Sequence, residues 1–337
     1  MTNPPSPRST APAPSRARRV GTHALDLWEK TGMLLILLIL LTIFSIFIPY
    51  FFSWHNARGL SRSVATVGII SCSMLFCMVA GDFDLSVASV AVMSGMVSAV
   101  VTNYTNSVVA GIAAGLLSGT AVGLFNGFLI AFVGINALIA TLGTLQIARG
   151  LAFIVGKGDP VGVDNPGFTL LGVTQTHIFG ELFIPMPVWI MIGCFIFFSV
   201  LLNRTTFGRN AMAIGGNAEA ARLAGVSVVR TKILIFTMQG LVAAMAGIIE
   251  ASAFGSGQPN SDLGLELDVI SACVLGGVAL TGGVGSMGGV VVGVFIMGSV
   301  TNAMELLNVD TFYQYVFRGG ILITAAVIDR LKRLREG

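Results

Sequence analysis

Uninterrupted apolar runs of about twenty residues recur along this 337-residue chain, and no other feature limits its fold so strongly. Each run is long enough to cross the hydrocarbon of a bilayer as one helix. Apolar residues make up 54% of the chain, charged residues 10%, and 42 residues are glycine. A soluble body of this length cannot keep so much apolar surface from water. The expected class is therefore all-α: a polytopic membrane protein of about ten transmembrane helices. The runs lie near 33–52, 63–80, 85–102, 107–131, 136–155, 186–202, 233–254, 269–284, 287–303 and 314–328.

Charge placement orients these spans. The formal balance of +3 is no nucleic-acid signal, because the charges sit at the ends of apolar runs. Residues 1–31 read as a disordered, basic, Pro-rich tail, and Met33 to Phe52 is long enough to span rather than to serve as a signal peptide. Arg8, Arg16, Arg18, Arg19 and Lys30 precede that run and hold the N-terminus in the cytoplasm. Within the 32–329 transmembrane domain, the hydrophilic island 203–232 then falls inside, as does the basic 330–337 tail. Outside fall Asp159, Asp164 and Glu181, and the group Asp262, Glu266 and Asp268. Arg58 and Arg62 run against the rule. Cys72, Cys77, Cys194 and Cys273 lie inside spans without paired spacing and read as small buried side chains.

An internal repeat matches Asp84–Gly95 with Glu266–Gly277, each followed by a Gly-rich span with an asparagine, Asn126 or Asn302. The copies start five spans apart, so the second is inverted, an arrangement common among transporters. Composition alone also makes apolar helices look alike. In the fourth span, Gly111, Gly115, Gly119, Gly123 and Gly127 recur every fourth residue and form one ridge. Such a ridge predicts a tightly packed central helix, in static contact or able to slide.

The island carries Arg204, Arg209, Arg222, Arg230 and Lys232 against Glu219 alone. Asn217 is a good N-cap, Ala218 to Ala224 favour helix, and Gly225 can end it at positive φ. Glu219 in the first turn and Arg222 in the last suit the helix dipole. The prediction is a helix of about two turns, too short to span. It is either an ordinary connector or a rigid docking element for another subunit.

Glu219-Ala220-Ala221-x3-Gly225 resembles the coupling motif of ATP-binding-cassette importer permeases, without the later Leu-Pro of its fullest form. Gly81-Asp82-Phe83-Asp84-Leu85-Ser86, Asn136 through Gly150, Thr206-Phe207-Gly208-Arg209 with Ala213 through Gly216-Asn217, and Ser271 through Gly283 are similar to elements of the monosaccharide permeases for ribose, xylose, galactose and arabinose. Residues 74–84 and 217–232 look most like the L-arabinose members. This resemblance covers all but the N-terminal tail. It implies a ten-helix, vitamin B12 importer-like (type II) permease in the bacterial inner membrane, paired with a second copy of itself and sitting in lipid. It also implies a periplasmic sugar-binding protein and a cytoplasmic ATPase with two nucleotide-binding halves. ATP is used by that partner, and no cofactor is expected on this chain. Consistently, Gly156-Lys157-Gly158 lacks the rest of a phosphate loop, and Gly283-x-Gly285-x-x-Gly288 has no βαβ context. His23, His55 and His177 are too scattered for a metal site.

Asp82 and Asp84, opening span three, and Glu266 and Asp268, opening span eight, can gate a path, cap their helices or pair with a base. Arg149, Glu250 and Arg318, near outer span ends, are expected to snorkel, with an Arg149–Glu250 pair as an alternative. A neutral sugar needs hydrogen-bond partners along its route. The candidates are Ser86, Asn126, Asn136, Thr141, Gln146, Gln239 and Asn302, each equally able to make an ordinary helix–helix bond. Two other classes stay open: a proton-coupled secondary sugar transporter using Asp82 or Asp84, and a membrane enzyme, for which no nucleophile and base assemble.

Overall fold

The computed structural model describes residues 16–179, 182–261 and 263–336. Residues 1–15 of the predicted tail, Glu181 and Asp262 lie outside the described residues. Helix α1 (Arg16–Phe47) begins inside the stretch read as tail and leads directly into the first apolar run. There follow α2 (Trp54–Val79), α3 (Val87–Thr105), α4 (Val108–Phe128) closed by a π turn at Leu129–Val133, and α5 (Ala137–Gly156). After a short α6 (Leu170–Val173) come α7 (Met186–Arg204), α8 (Thr206–Gly216), α9 (Ala218–Leu223) and α10 (Val228–Phe254). Helices α11 (Leu265–Leu275), α12 (Met287–Leu306) and α13 (Thr311–Glu336) complete the bundle. Seven of these are long and apolar enough to cross a membrane: α2, α3, α4 with its π turn, α5, α7, α10 and α12.

The bundle has an inside and an outside despite its uniform hydropathy. In the apolar window of α2, 83% of residues are buried, against 22% for α4, so α2 threads the core and α4 flanks it. Phe76, Met74, Leu75 and Ile70 of α2 are fully enclosed, packed with Ile235 and Phe236 of α10. The glycine ridge explains how α4 docks. A Cβ on Gly123 would come within 2.3 Å of the Phe236 carbonyl oxygen, and one on Gly119 within 2.5 Å of Ala244 Cβ. Gly111 and Gly115 press in the same way on Ser98 and Ser94 of α3. Only backbone fits there, which is the close approach that lipid-embedded helices need to associate. The ridge is thus a packing seam, and within one copy α4 flanks the core. Its opposite face, with Leu117, Leu124 and Phe125, is exposed.

Where the apolar pattern predicts a span at 269–284, the helix stops at Leu275. Gly277 takes φ +78°, and Gly282 and Gly283 take +87° and +79°, so the chain from Gly276 to Ser286 is a non-helical return into α12, partly buried with Val284 exposed. Glycines again permit it: a Cβ on Gly293 would lie 1.9 Å from the Ala272 oxygen.

Gly81, Gly215 and Gly282 meet at the end of the bundle that carries α8 and α9. The far end carries two small antiparallel pairs, β1 (Val161–Gly162) with β4 (Ser256–Gly257) and β2 (Gln175–Phe179) with β3 (Leu182–Pro185). Helix α3 starts at the α9 end. Helix α11 starts at the far end, where Asp268 meets Arg318. The four cysteines are free, with Cys194 alone only half-buried.

Candidate functional site

Local chemistry builds α9 as the sequence predicts. Asn217 Oδ1 accepts the Ala220 N–H at 2.9 Å, capping the first turn. At the other end Gly225 sits at φ +88°, with its N–H on the Arg222 carbonyl and the Val226 N–H on the Ala221 carbonyl, both at 3.0 Å. That paired pattern is a Schellman motif, which closes the orphan carbonyls of a helix end. Ala221 faces the protein and is buried, whereas Glu219, Ala220, Arg222 and Leu223 face out. Arg222 forks onto Glu219 at 2.6 and 3.0 Å. Its hydrogen bond and its charge hold the Glu219 carboxyl below the usual range. The element thus presents a fixed charge pair beside Leu223, 77% exposed, with no apolar cover on the outer side.

Helix α8 roots this element in the bundle. Thr205 caps it by accepting the Gly208 N–H at 3.4 Å, and Phe207 stacks on Phe76 of α2 at 5.6 Å between centroids. Thr206, Arg209 and Gly216 stay exposed. A Cβ on Gly208 would strike the Leu202 backbone, and one on Gly215 the Val79 oxygen at 1.8 Å. Beside Gly215, the Gly283 N–H donates to that same Val79 oxygen at 2.8 Å. Glycines from two loops and from the last turn of α8 therefore form one junction, joining α8 to the ends of α2 and α11.

Asp82 and Asp84 lie next to this junction with separate partners. Lys232, in the first turns of α10, reaches Asp82 at 2.7 Å. Asp84 accepts from both the backbone N–H and the hydroxyl of Ser86, at 2.8 and 2.6 Å. Burial pushes both carboxyls above the usual aspartate range, Asp84 to about 6, against the pull of Lys232 and of Ser86. The Ser86 hydroxyl in turn accepts from Asn126 Nδ2 at 3.0 Å, and Asn126 Oδ1 accepts from Thr144 at 2.8 Å. This buried chain ties α3, α4 and α5 together. Asn126 and Ser86 are buried and hydrogen-bonded within this chain.

The remaining polar candidates scatter. Asn136 caps α5 by accepting the Leu138 N–H, and Thr141 donates to the Ala137 carbonyl within the same helix. Asn302 exchanges two 2.8 Å bonds with Asn56 of α2, a partner 246 positions away that no local pattern reveals. Gln239 is fully buried, and neither its amide nitrogen nor its oxygen has a hydrogen-bond partner among the described residues. Gln146 and Glu266 line a small far-end pocket of about 240 Å³.

A larger cavity of about 670 Å³ opens at the far end, lined by residues of α2, α10, α11, α12 and α13. Of the sequence candidates it takes in only Asp268, which pairs with Arg318 at 3.1 Å. Arg318 therefore turns inward to a carboxylate rather than snorkelling. Arg149 likewise bridges to the Pro259 and Ser261 carbonyls at 3.1 and 2.8 Å. Of the two arginines that defied the charge rule, Arg58 stacks over Phe183 at 4.4 Å, while Arg62 is partly buried and lines the cavity. Sequence reasoning passed over Arg62, Glu305 and Gln314 as site residues. Only the register of helices far apart in sequence brings them together.

A helical bundle with an apolar exterior, a charged stub at one end and a polar cavity at the other defines an integral membrane permease. The chain belongs to the family described as branched-chain amino acid transport system / permease component, whose model matches residues 56–326. It is 53% identical over 307 residues to the L-arabinose transport system permease protein AraH of Escherichia coli, covering 91% of this chain and 92% of that one. The L-arabinose ABC transporter permease protein AraH of Azospirillum brasilense is 46% identical over 97% of this chain and 96% of its own. The ribose import permease protein RbsC of Bacillus subtilis is 39% identical over 92% and 95%. No solved structure matches the chain.

Proposed function

We propose that this chain is the membrane subunit of an ATP-driven importer that carries L-arabinose into the bacterial cytoplasm. The observation that carries the choice of sugar is identity: 53% to the L-arabinose permease of Escherichia coli against 39% to a ribose permease, over similar lengths. Ten spans follow if α1, α11 and α13 join the seven evident ones, with both termini inside and a vitamin B12 importer-like arrangement. The opposed starts of α3 and α11 support an inverted repeat. The exposed faces of α4 and α5, including Phe128, Ile139 and Gln146, are available to a second copy.

In the proposed cycle, a separate ATPase grips Glu219, Arg222 and Leu223 and pulls on α9 as its two halves close. The caps at Asn217 and Gly225 keep α9 rigid, and Ala221 seats it. Displacement passes through the glycine junction to the α11–α12 return and through Asp82–Lys232 to α10. The paired copies then rock from outward-open to inward-open. Sugar released by a periplasmic binding protein crosses between them, with no bond made or broken and no cofactor on this chain. Asp82 and Asp84 act in this scheme as fasteners of the inner end, whose release opens it.

The test is labelled L-arabinose uptake into proteoliposomes holding this chain, its ATPase and its binding protein, without an ion gradient. Uptake that requires ATP and both partners is the expected result. Uptake driven by a proton gradient without ATP would sink the proposal, and preference for ribose or xylose would replace the sugar.

A further inference from the structure

We propose that the far-end cavity is a sugar-binding vestibule inside each copy, distinct from the path between copies, which takes one neutral polyhydroxylated molecule. The inference rests on the sugar reading above and adds a site to it. Neither α4 nor α5, whose exposed faces are available to a second copy, contributes a residue to the cavity's walls. The volume of about 670 Å³ lies within the range of small-molecule sites, roughly 300–1,000 Å³.

The lining chooses the ligand class. Two guanidiniums, Arg62 and Arg318, face three carboxylates, Glu250, Asp268 and Glu305. An anion would meet the carboxylates and a cation the guanidiniums, so neither gains a clean partner set. A molecule bearing several hydroxyls can donate to carboxylates and accept from guanidiniums at once. Both kinds of group stand at the wall, where Asp268 Oδ2 and Arg318 Nη1 pair at 3.1 Å. Among the described residues the Nε atoms of Arg62 and Arg318 and the Oδ1 of Asp268 have no hydrogen-bond partner, so the polar groups of this wall are not saturated by one another. Phe254, Leu263 and Tyr315 also line the cavity, are exposed, and offer apolar surface to the C–H face of a sugar ring.

Direct binding decides it. Full-length permease in nanodiscs, without ATPase or binding protein, is titrated with L-arabinose and followed by saturation-transfer NMR. Saturable transfer is expected, reduced at least tenfold by Asp268→Asn and by Thr66→Leu. Thr66→Leu fills the cavity while leaving the Asp268–Arg318 pair intact, so its elution should match the parent chain. No saturable transfer in the parent chain, equal transfer in both variants, or displacement of the sugar by phosphoethanolamine would overturn the proposal. ATP-driven uptake by the complete complex is measured beside it. Uptake without binding sinks the vestibule alone, whereas absence of L-arabinose uptake sinks the sugar reading on which it rests.

Discussion

At the residue scale, the most consequential positions are those whose backbone has no alternative. Gly225 holds φ +88° in open space, so a larger side chain meets no atom but must adopt a left-handed conformation. That costs about 1–2 kcal/mol for a β-branched residue and less for asparagine. Gly225→Val should fray α9 and lower uptake roughly fivefold or more at unchanged membrane abundance, while Gly225→Asn keeps most activity. Uptake assays with immunoblots check this, and normal uptake by Gly225→Val would remove the coupling role. Asp82 and Lys232 form a second residue-scale case, because their side chains are only 12% and 19% exposed. Removing either partner should cost about 2 kcal/mol, between the values for surface and buried pairs. Thermal unfolding in detergent should show both Asp82→Ala and Lys232→Ala destabilised, with the exchanged double variant recovering part of the loss. Less than 0.5 kcal/mol for either single change, roughly the surface-pair value, would mean the pair is ornamental. The cap of α9 was legible in sequence because capping is local. The Asp82–Lys232 and Asn56–Asn302 pairs were not, since their partners lie on different helices.

At the scale of elements, the glycine ridge was legible as a pattern and ambiguous as a position. Spacing of four residues puts the glycines on one helix face but says nothing of what lies beyond the other. The exposed outer face of α4 shows that within one copy it flanks the core. Because the Phe236 oxygen would sit 2.3 Å from a Cβ at Gly123, Gly123→Val should force α4 away from α10 and abolish recovery of folded permease. Gly193→Ala in α7 meets nothing within 4 Å and should be recovered at parental yield. Fluorescence-detected size-exclusion chromatography separates the two, and equal yields would refute the seam. The truncation of α11 shows the opposite limit of sequence reading. Hydropathy averages over residues 269–284 and cannot register that Gly277, Gly282 and Gly283 bend the chain.

Taken whole, the molecule is polar at its two ends for different reasons. The α9 end carries exposed Arg209, Arg222 and Arg230, while the far-end arginines Arg58, Arg62, Arg149 and Arg318 are bound to rings, carbonyls or carboxylates or line the cavity. The stacking of Arg58 on Phe183 and the partial burial of Arg62 at the cavity wall set both apart from the solvated loop charges on which the orientation rule is built. The proposed cycle has the α9 end, with its solvated arginines, in the cytoplasm. Leu223 at that end is 77% exposed and Tyr104 at the far end 91% exposed, so cysteines placed there in a cysteine-free background report each side directly. A membrane-impermeant maleimide should label Tyr104→Cys in cells with a permeabilised outer membrane, and Leu223→Cys only in inverted vesicles. The reverse pattern would place α9 outside, beyond reach of any cytoplasmic ATPase, and the proposed drive of the cycle would fail with it.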